Sequence, residues 1–228
     1  NKLSIEKRLI MRKMLKKIVS AVLVSAIMFT SLNIQSAGAD AASKNKKAIA
    51  AYKKVLLKKS NNDWAGNPKN YNFQCVDLNG DGVKEMVLQS DDIPTNSGMC
   101  IYAYVNNKAK LVEMCEDISW YKKSKVLIFD RTWGGAYPIT YYKLNKNGKL
   151  VEKASSEAVD LSLYPSVKNK VKHKDKKHGL YYYSYKINGK ETSYKTYKKK
   201  FKQLTKGGKE SRFKLKKNTA ANRSKYLK

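Results

Sequence analysis

Asp77-Leu78-Asn79-Gly80-Asp81-Gly82-Val83-Lys84-Glu85 is the stretch around which the chain is organised. Oxygen-bearing side chains recur at loop positions 1, 3, 5 and 9, and Gly82 stands at position 6, where the backbone must turn sharply. Alternate side chains of such a loop converge on one centre, and the carbonyl of Val83 adds another oxygen, which is the donor set that Ca²⁺ requires. The expected ligands are therefore Asp77, Asn79, Asp81, Val83 and Glu85. Position 12 is Leu88, so the bidentate glutamate of an EF-hand is missing and a shorter loop with weak affinity is expected, on the order of 10⁻⁴ to 10⁻³ M. Asn-Gly and Asp-Gly also form turns without any metal, and that plain acidic turn is the competing reading.

The flanks fix the setting of the loop. Tyr71 to Val76 before it and Met86 to Gln89 after it are short, with alternating or β-branched character and no long 3.6-residue period, so the loop should join two strands. The pattern Asp-x-Asn-x-Asp-Gly-x-x-Glu, carried by Asp77, Asn79, Asp81, Gly82 and Glu85, resembles the calcium loops of FG-GAP and VCBS repeats, whose loops lie within β-hairpins. Dockerins share Asp-x-Asn-Gly-Asp-Gly, but they need an acid at position 12, a following helix and a second copy, and the chain has none of the three. More broadly, an N-terminal helix, one such loop and then Tyr-rich hairpins resemble a set of secreted proteins of Gram-positive bacteria. That resemblance implies an exported β-rich module that carries a calcium loop.

Charge and leader point the same way. The net charge is +30 over 228 residues. Seven of the cations, from Lys2 to Lys17, precede an apolar run from Ile18 to Phe29. A basic head, a run of that length and the small-residue sites Ala37-Gly38-Ala39 and Ala39-Asp40-Ala41 make a secretory signal peptide. The run is short for a membrane span of about 20 residues. We therefore expect a signal peptide over 1–41, a helix plus β-meander with the calcium loop over 42–164, and a basic segment over 165–228 that packs on the same domain. No stable membrane insertion is expected after cleavage.

Within 42–164, Ser43 is a candidate N-cap for a helix over Lys44–Lys59, broken by Asn61-Asn62-Asp63 and Gly66-Asn67-Pro68. Asp91 to Gly98 should be a loop. Tyr102–Glu113 (YAYVNNKAKLVE) and Tyr141–Glu152 (YYKLNKNGKLVE) repeat at a spacing of 39 residues, each with an Asn-rich centre suited to a hairpin, and Tyr183–Thr192 is a looser third echo. Two or three such units cannot close a propeller, so an antiparallel sheet that curls or stacks is expected. Val126–Asp130 reads as a central strand and Trp133-Gly134-Gly135 as a turn. The fold class is thus α+β, mostly antiparallel β, with an N-terminal helix, a calcium-loop hairpin, a β-meander and a C-terminal amphipathic helix.

The last third is strongly basic. From Lys168 onward 22 Lys or Arg face only Asp175, Glu191 and Glu210, an excess of about 19. Pro165–Gly179, polar, basic and poor in core residues, reads as a mobile loop or linker. Ser193 should cap a helix with Tyr194, Tyr197, Phe201 and Leu204 on one stripe, ended by Gly207-Gly208. Phe213 and Leu215 suggest a last strand, and Asn218 or Thr219 a final cap.

Catalytic chemistry finds little footing. His173 and His178 form an isolated His-x₄-His pair without a third ligand. Nucleophile elbows, phosphate loops and dinucleotide fingerprints do not occur. Asp117, Asp130 and Asp160 are the carboxylates that a hidden glycosidase pair would draw on. The leading expectation is a secreted or cell-wall-associated, non-enzymatic protein that binds calcium and is retained by its basic part on an anionic cell-wall polymer or acidic glycan. An extracellular hydrolase with a site around Trp133-Gly134-Gly135, or a host-directed adhesin or toxin, are the alternatives. Export argues against nucleic acid as the main partner, and the dominance of lysine over arginine favours diffuse retention over a shaped anion pocket.

Three cysteines remain. If a turn is centred on Asn107-Lys108, Cys100 faces Cys115, close enough for a disulfide that leaves Cys75 reduced. Three free thiols are the equal alternative.

Overall fold

The computed structural model describes residues 39–58, 67–91 and 98–228. Most of the expected signal peptide, the helix-breaking Asn61-Asn62-Asp63, and most of the loop from Asp92 lie outside the described residues. The chain divides into compact units 1–43 and 44–228. The first is described only at 39–43, and the sheets and cores belong to the second.

Chain order gives helix α1 over 39–57. Strands β1 (Tyr71–Val76), β2 (Glu85–Ser90), β3 (Met99–Val105), β4 (Lys108–Cys115), β5 (Asp117–Tyr121), β6 (Val126–Asp130), β7 (Ala136–Leu144) and β8 (Leu150–Val159) follow. Then come β9 (His173–Asp175), β10 (Leu180–Ile187), β11 (Lys190–Glu191), helix α2 (Tyr194–Leu204), β12 (Glu210–Ser211), β13 (Lys216–Lys217) and helix α3 (Ala220–Tyr226). The expected class is observed: every strand pairing is antiparallel. The helix over 39–57 already runs through Ser43, so that residue lies inside it and does not cap it.

The meander is divided between two sheets. The first has the order β13-β1-β2-β3-β4, the second β11-β10-β8-β7-β6-β5-β12, with β9 also on β10. The chain passes from one to the other through the single residue Glu116 between β4 and β5. Strand periodicity decides what each face meets. Phe73, Met86, Leu88, Cys100 and Tyr104 form one core with Ala48, Ile49, Tyr52 and Leu56 of α1. Val87, Met99 and Ile101, on the opposite face, meet Ile118, Trp120, Leu127 and Phe129 of the second sheet. The far face of the second sheet is covered by α2, where Tyr197 packs with Ala154 and Tyr185. The order of layers is helix, sheet, sheet, helix.

Local chemistry places the turns. Asn106 and Asn107, at φ 51° and 59°, make the two-residue turn between β3 and β4, and Asn188-Gly189, at 50° and 76°, does the same between β10 and β11. Ser193 Oγ accepts from Thr196 N at the start of α2, and the Thr219 side chain accepts from Asn222 N at the start of α3.

Three expectations need correction. The turn centres on Asn106-Asn107, one residue earlier than expected, and a register shift between Ile101 and Tyr102 then sets Cys100 opposite Met114 and Cys115 opposite Met99. An offset of one residue reverses the side-chain face, so Cys100 joins the α1-facing core and Cys115 the inter-sheet core. All three cysteines are free thiols. Pro165–Gly179 is not a loose loop: Pro165–Lys170 is a 3₁₀ helix and His173–Asp175 pairs with β10. The last strand is Lys216–Lys217, just past Phe213 and Leu215, which pack into the inter-sheet core.

The basic C-terminal part is woven through both sheets. β10 pairs with β8, β12 with β5 at the opposite edge, and β13 with β1 of the other sheet. Asn218 Nδ2 donates to Leu56 O and Pro68 O at 2.7 and 2.8 Å, and Leu227 is buried against α1.

Candidate metal centre

The β1–β2 hairpin ends its ladder at Val76 opposite Glu85, and the residues between them form the loop. Its backbone is shaped by its own side chains. Asp77 Oδ1 accepts from Asn79 N at 3.2 Å and Gly80 N at 2.5 Å. Asn79 Oδ1 accepts from Asp81 N at 2.9 Å, and Asp81 Oδ1 from Val83 N at 2.9 Å. Three alternate side chains thus each accept from the amide two residues on, the Asx-turn habit that makes Asp and Asn suited to tight loops. Gly80 and Gly82 sit at φ +88° and +82°, a region that L side chains rarely adopt.

Those bonds leave a second set of oxygens turned toward one amide. Asn79 Nδ2 donates to Asp81 Oδ2 at 3.3 Å and to Glu85 Oε1 at 3.2 Å. The NH₂ group stands between two carboxylates as a weak, neutral substitute for a cation. Half a turn of the amide would bring Asn79 Oδ1 to the same place beside Asp81 and Glu85. The donor set is all oxygen, as a hard cation requires, so these residues fit Ca²⁺. As they stand, no three His, Cys, Asp or Glu side chains among the described residues are grouped closely enough to ligate one ion. The second oxygen of Asp77 is turned to Gly82 N at 3.4 Å and lies 4.0 Å from Lys125 Nζ.

Glu85 is the unusual member. Only 3% of it is exposed, and Oε2 accepts from Leu78 N at 2.8 Å. Burial pushes its carboxyl up to about 8; the Leu78 N–H pulls the other way, and the charges of Asp81 and Asp77 add to the rise. A carboxylate in this setting gains from any cation that reaches it.

Val83, the fifth expected ligand, points its side chain into the α1-facing core, while Leu78 enters the core between the sheets. One loop is therefore anchored in two cores. Three further residues brace it. Lys125, from the β5–β6 turn, donates to Asp77 O at 2.5 Å. Asn45 Oδ1 accepts from Lys84 N at 2.9 Å, and Tyr52 donates to Lys84 O at 3.0 Å. Of the three, Tyr52 alone carries a signal in the sequence, as part of the apolar stripe of α1; Lys125 and Asn45 look like any other polar surface residue.

The other residues singled out by chemistry are dispersed. His173 stacks on Tyr194 at 4.1 Å between ring centroids, and His178 Nδ1 lies 2.8 Å from Asp175. Asp117 stands opposite Asp130 on β5 and β6 and pairs with Arg212, while Asp130 accepts from Thr132. Asp160 accepts from Ser162 in a separate loop. The lysines of α2, Lys195, Lys198, Lys199, Lys200 and Lys202, are all exposed on the outermost layer. No protein-family model matches the chain, and no curated protein or solved structure matches it either.

Proposed function

We propose that the Asp77–Glu85 loop holds a calcium ion that locks the two cores together. In this reading the protein is a secreted or cell-wall-associated, non-enzymatic module, retained on anionic surface polymers by the lysine-rich layer over its second sheet. The observation that supports the calcium reading is the buried Glu85 carboxylate, which shares the Asn79 amide with Asp81. Asp77, Asn79, Asp81 and Glu85 would supply side-chain oxygens and Val83 a backbone carbonyl. Bound calcium would supply the positive charge that these carboxylates lack, and the remaining work belongs to the chain: Leu78 and Val83 transmit the closure of the loop into the packing on either side.

Retention rests on a different physics. Lysines spread over α2 attract any polyanion without shaping a pocket for it, so binding should weaken as salt screens the charges.

The calcium reading is tested by melting the full chain in 10 mM Ca²⁺ and in chelator. With affinity on the order of 10⁻⁴ to 10⁻³ M, the gain is about 1.4–2.7 kcal/mol. Asp81→Ala should remove that gain. Equal melting of the unaltered protein in the two buffers would show that the loop is an ordinary turn.

A further inference from the structure

The exposed hydrophobic side chains of the chain are not scattered evenly. Trp133 is 76% exposed and Leu163 is 61% exposed, two of the three highest values for large hydrophobics among the described residues, the third being Leu57 at 62%. Trp133 and Leu163 belong to one tip. Trp133 N donates to Ala136 O and Ala136 N to Trp133 O, both at 2.9 Å, across a two-residue turn with Gly134 and Gly135 at φ 55° and 81°. A Cβ on Gly135 would lie 2.4 Å from Leu163 Cδ1, so the second loop rests directly on the first. Tyr164 Oη donates to Gly134 O at 3.0 Å, and Asp160 N to Gly135 O at 2.9 Å. The backbone under the tip is thus fixed, while its indole and its leucine face water. Trp120, at 3% exposure, has the burial that a tryptophan ordinarily finds.

We infer that the Trp133–Leu163 tip docks into the headgroup region of an anionic lipid surface. An exposed indole and an exposed leucine on adjoining loops, with lysines following, match the chemistry of the bilayer interface, where tryptophan lies at headgroup level and lysines meet acidic lipids. The cations follow at once: Lys168 and Lys170 are exposed in the 3₁₀ helix that begins one residue after Tyr164. That helix rises about 2 Å per residue, which sets Lys168 about 8 Å and Lys170 about 12 Å along the chain from Tyr164. With Arg131, two residues before Trp133, they make three cations against Asp130 and Asp160.

A glycan is the other partner that stacks on tryptophan, and the exposed leucine and the lysines that follow it favour the lipid. Sugar recognition needs free hydrogen-bonding groups beside the ring. Here one oxygen of each nearby carboxylate is engaged, Asp160 Oδ1 by Ser162 N and Oγ at 2.9 and 2.8 Å and Asp130 Oδ1 by Thr132 N and Oγ at 3.0 and 2.6 Å, and the Tyr164 proton is donated to Gly134 O. The inference goes beyond retention on polymers and does not depend on calcium.

The test is sedimentation of the full chain with vesicles of phosphatidylglycerol mixed with phosphatidylcholine, with vesicles of phosphatidylcholine alone, and with an insoluble neutral polysaccharide. Binding to the anionic vesicles with a blue shift of tryptophan emission is expected, together with little binding to the other two. The double variant Trp133→Ala/Leu163→Ala should lose the shift and bind at least about tenfold more weakly. Its melting should be unchanged, because both side chains are exposed, and Trp133→Phe should keep most of the binding. Equal vesicle binding by the double variant, no vesicle binding by the unaltered protein, or tip-dependent binding to the polysaccharide in place of vesicles would each overturn the inference.

Discussion

The acidic loop between β1 and β2 and the lysine layer of α2 handle charge in opposite ways. In the loop, few charges of one sign are drawn inward, so that Glu85 is buried and every carboxylate is held by backbone amides. Over α2, many charges of the other sign point outward, while Tyr194, Tyr197, Phe201 and Leu204 carry the packing on the opposite face. Enclosed charges interact strongly and at fixed distances, which permits selection of one ion. Dispersed ones are screened by water and salt, which permits only attraction to a class. Net charge is accordingly a poor guide to where selectivity lies: a chain of +30 has its most constrained electrostatics in an acidic turn.

The largest effect should come from loosening the loop from inside. Leu78 is fully buried between the sheets, and Leu78→Ala should cost about 2–5 kcal/mol in urea unfolding. A cost as small as that of a surface change would mean that the loop is not anchored as its packing implies, and the contrast with the open lysine layer would fade.

The next largest effect concerns Glu85 and pH. Its carboxyl is raised from 4.5 to about 8 in the fold. The folded chain therefore keeps a proton that the unfolded chain releases, and stability contributed by this group is present below about 4.5 and lost as pH rises toward 8. Without calcium, Glu85→Gln should gain on the unaltered protein between pH 5 and pH 8, by a few kcal/mol. With calcium, which holds the carboxylate ionised, the gain should shrink and the variant should lose its response to the ion. Parallel stability curves across that pH range would show that Glu85 does not govern the loop.

The smallest effect on the fold should come from the lysine layer. Changing Lys195, Lys198, Lys199, Lys200 and Lys202 of α2 to Gln together should shift stability by no more than about 0.5 kcal/mol per site. Retention on isolated cell wall should nevertheless need less salt to reverse, read as earlier elution in a salt gradient. Unchanged elution would move the retaining surface elsewhere. Removing the whole segment after Pro165 would be uninformative, because β10, β12 and β13 are strands of the two sheets.

Where local chemistry decides, the amino acids announce the outcome. Asn188-Gly189, the caps Ser193 and Thr219, the α2 stripe and the Asp77–Glu85 loop all act over a few residues and are legible. The β3–β4 register is not, since one irregularity at Ile101 and Tyr102 reverses every side chain beyond it and leaves no mark in composition. Nor is β9, whose three polar residues become a strand because β10 offers them an open edge. At the candidate metal centre the spacing of the acidic loop is legible, whereas the bracing by Lys125, from 48 residues away, depends on how the sheets stack.

The tie between Asn218 and Leu56 spans 162 residues of chain. Contacts of such separation are entropically the last to be rewarded, since a long loop must close before they form. The α1-facing core, built mostly from the first half of the chain, waits for Leu227 to complete it. This topology predicts that the α1-facing core closes late in folding.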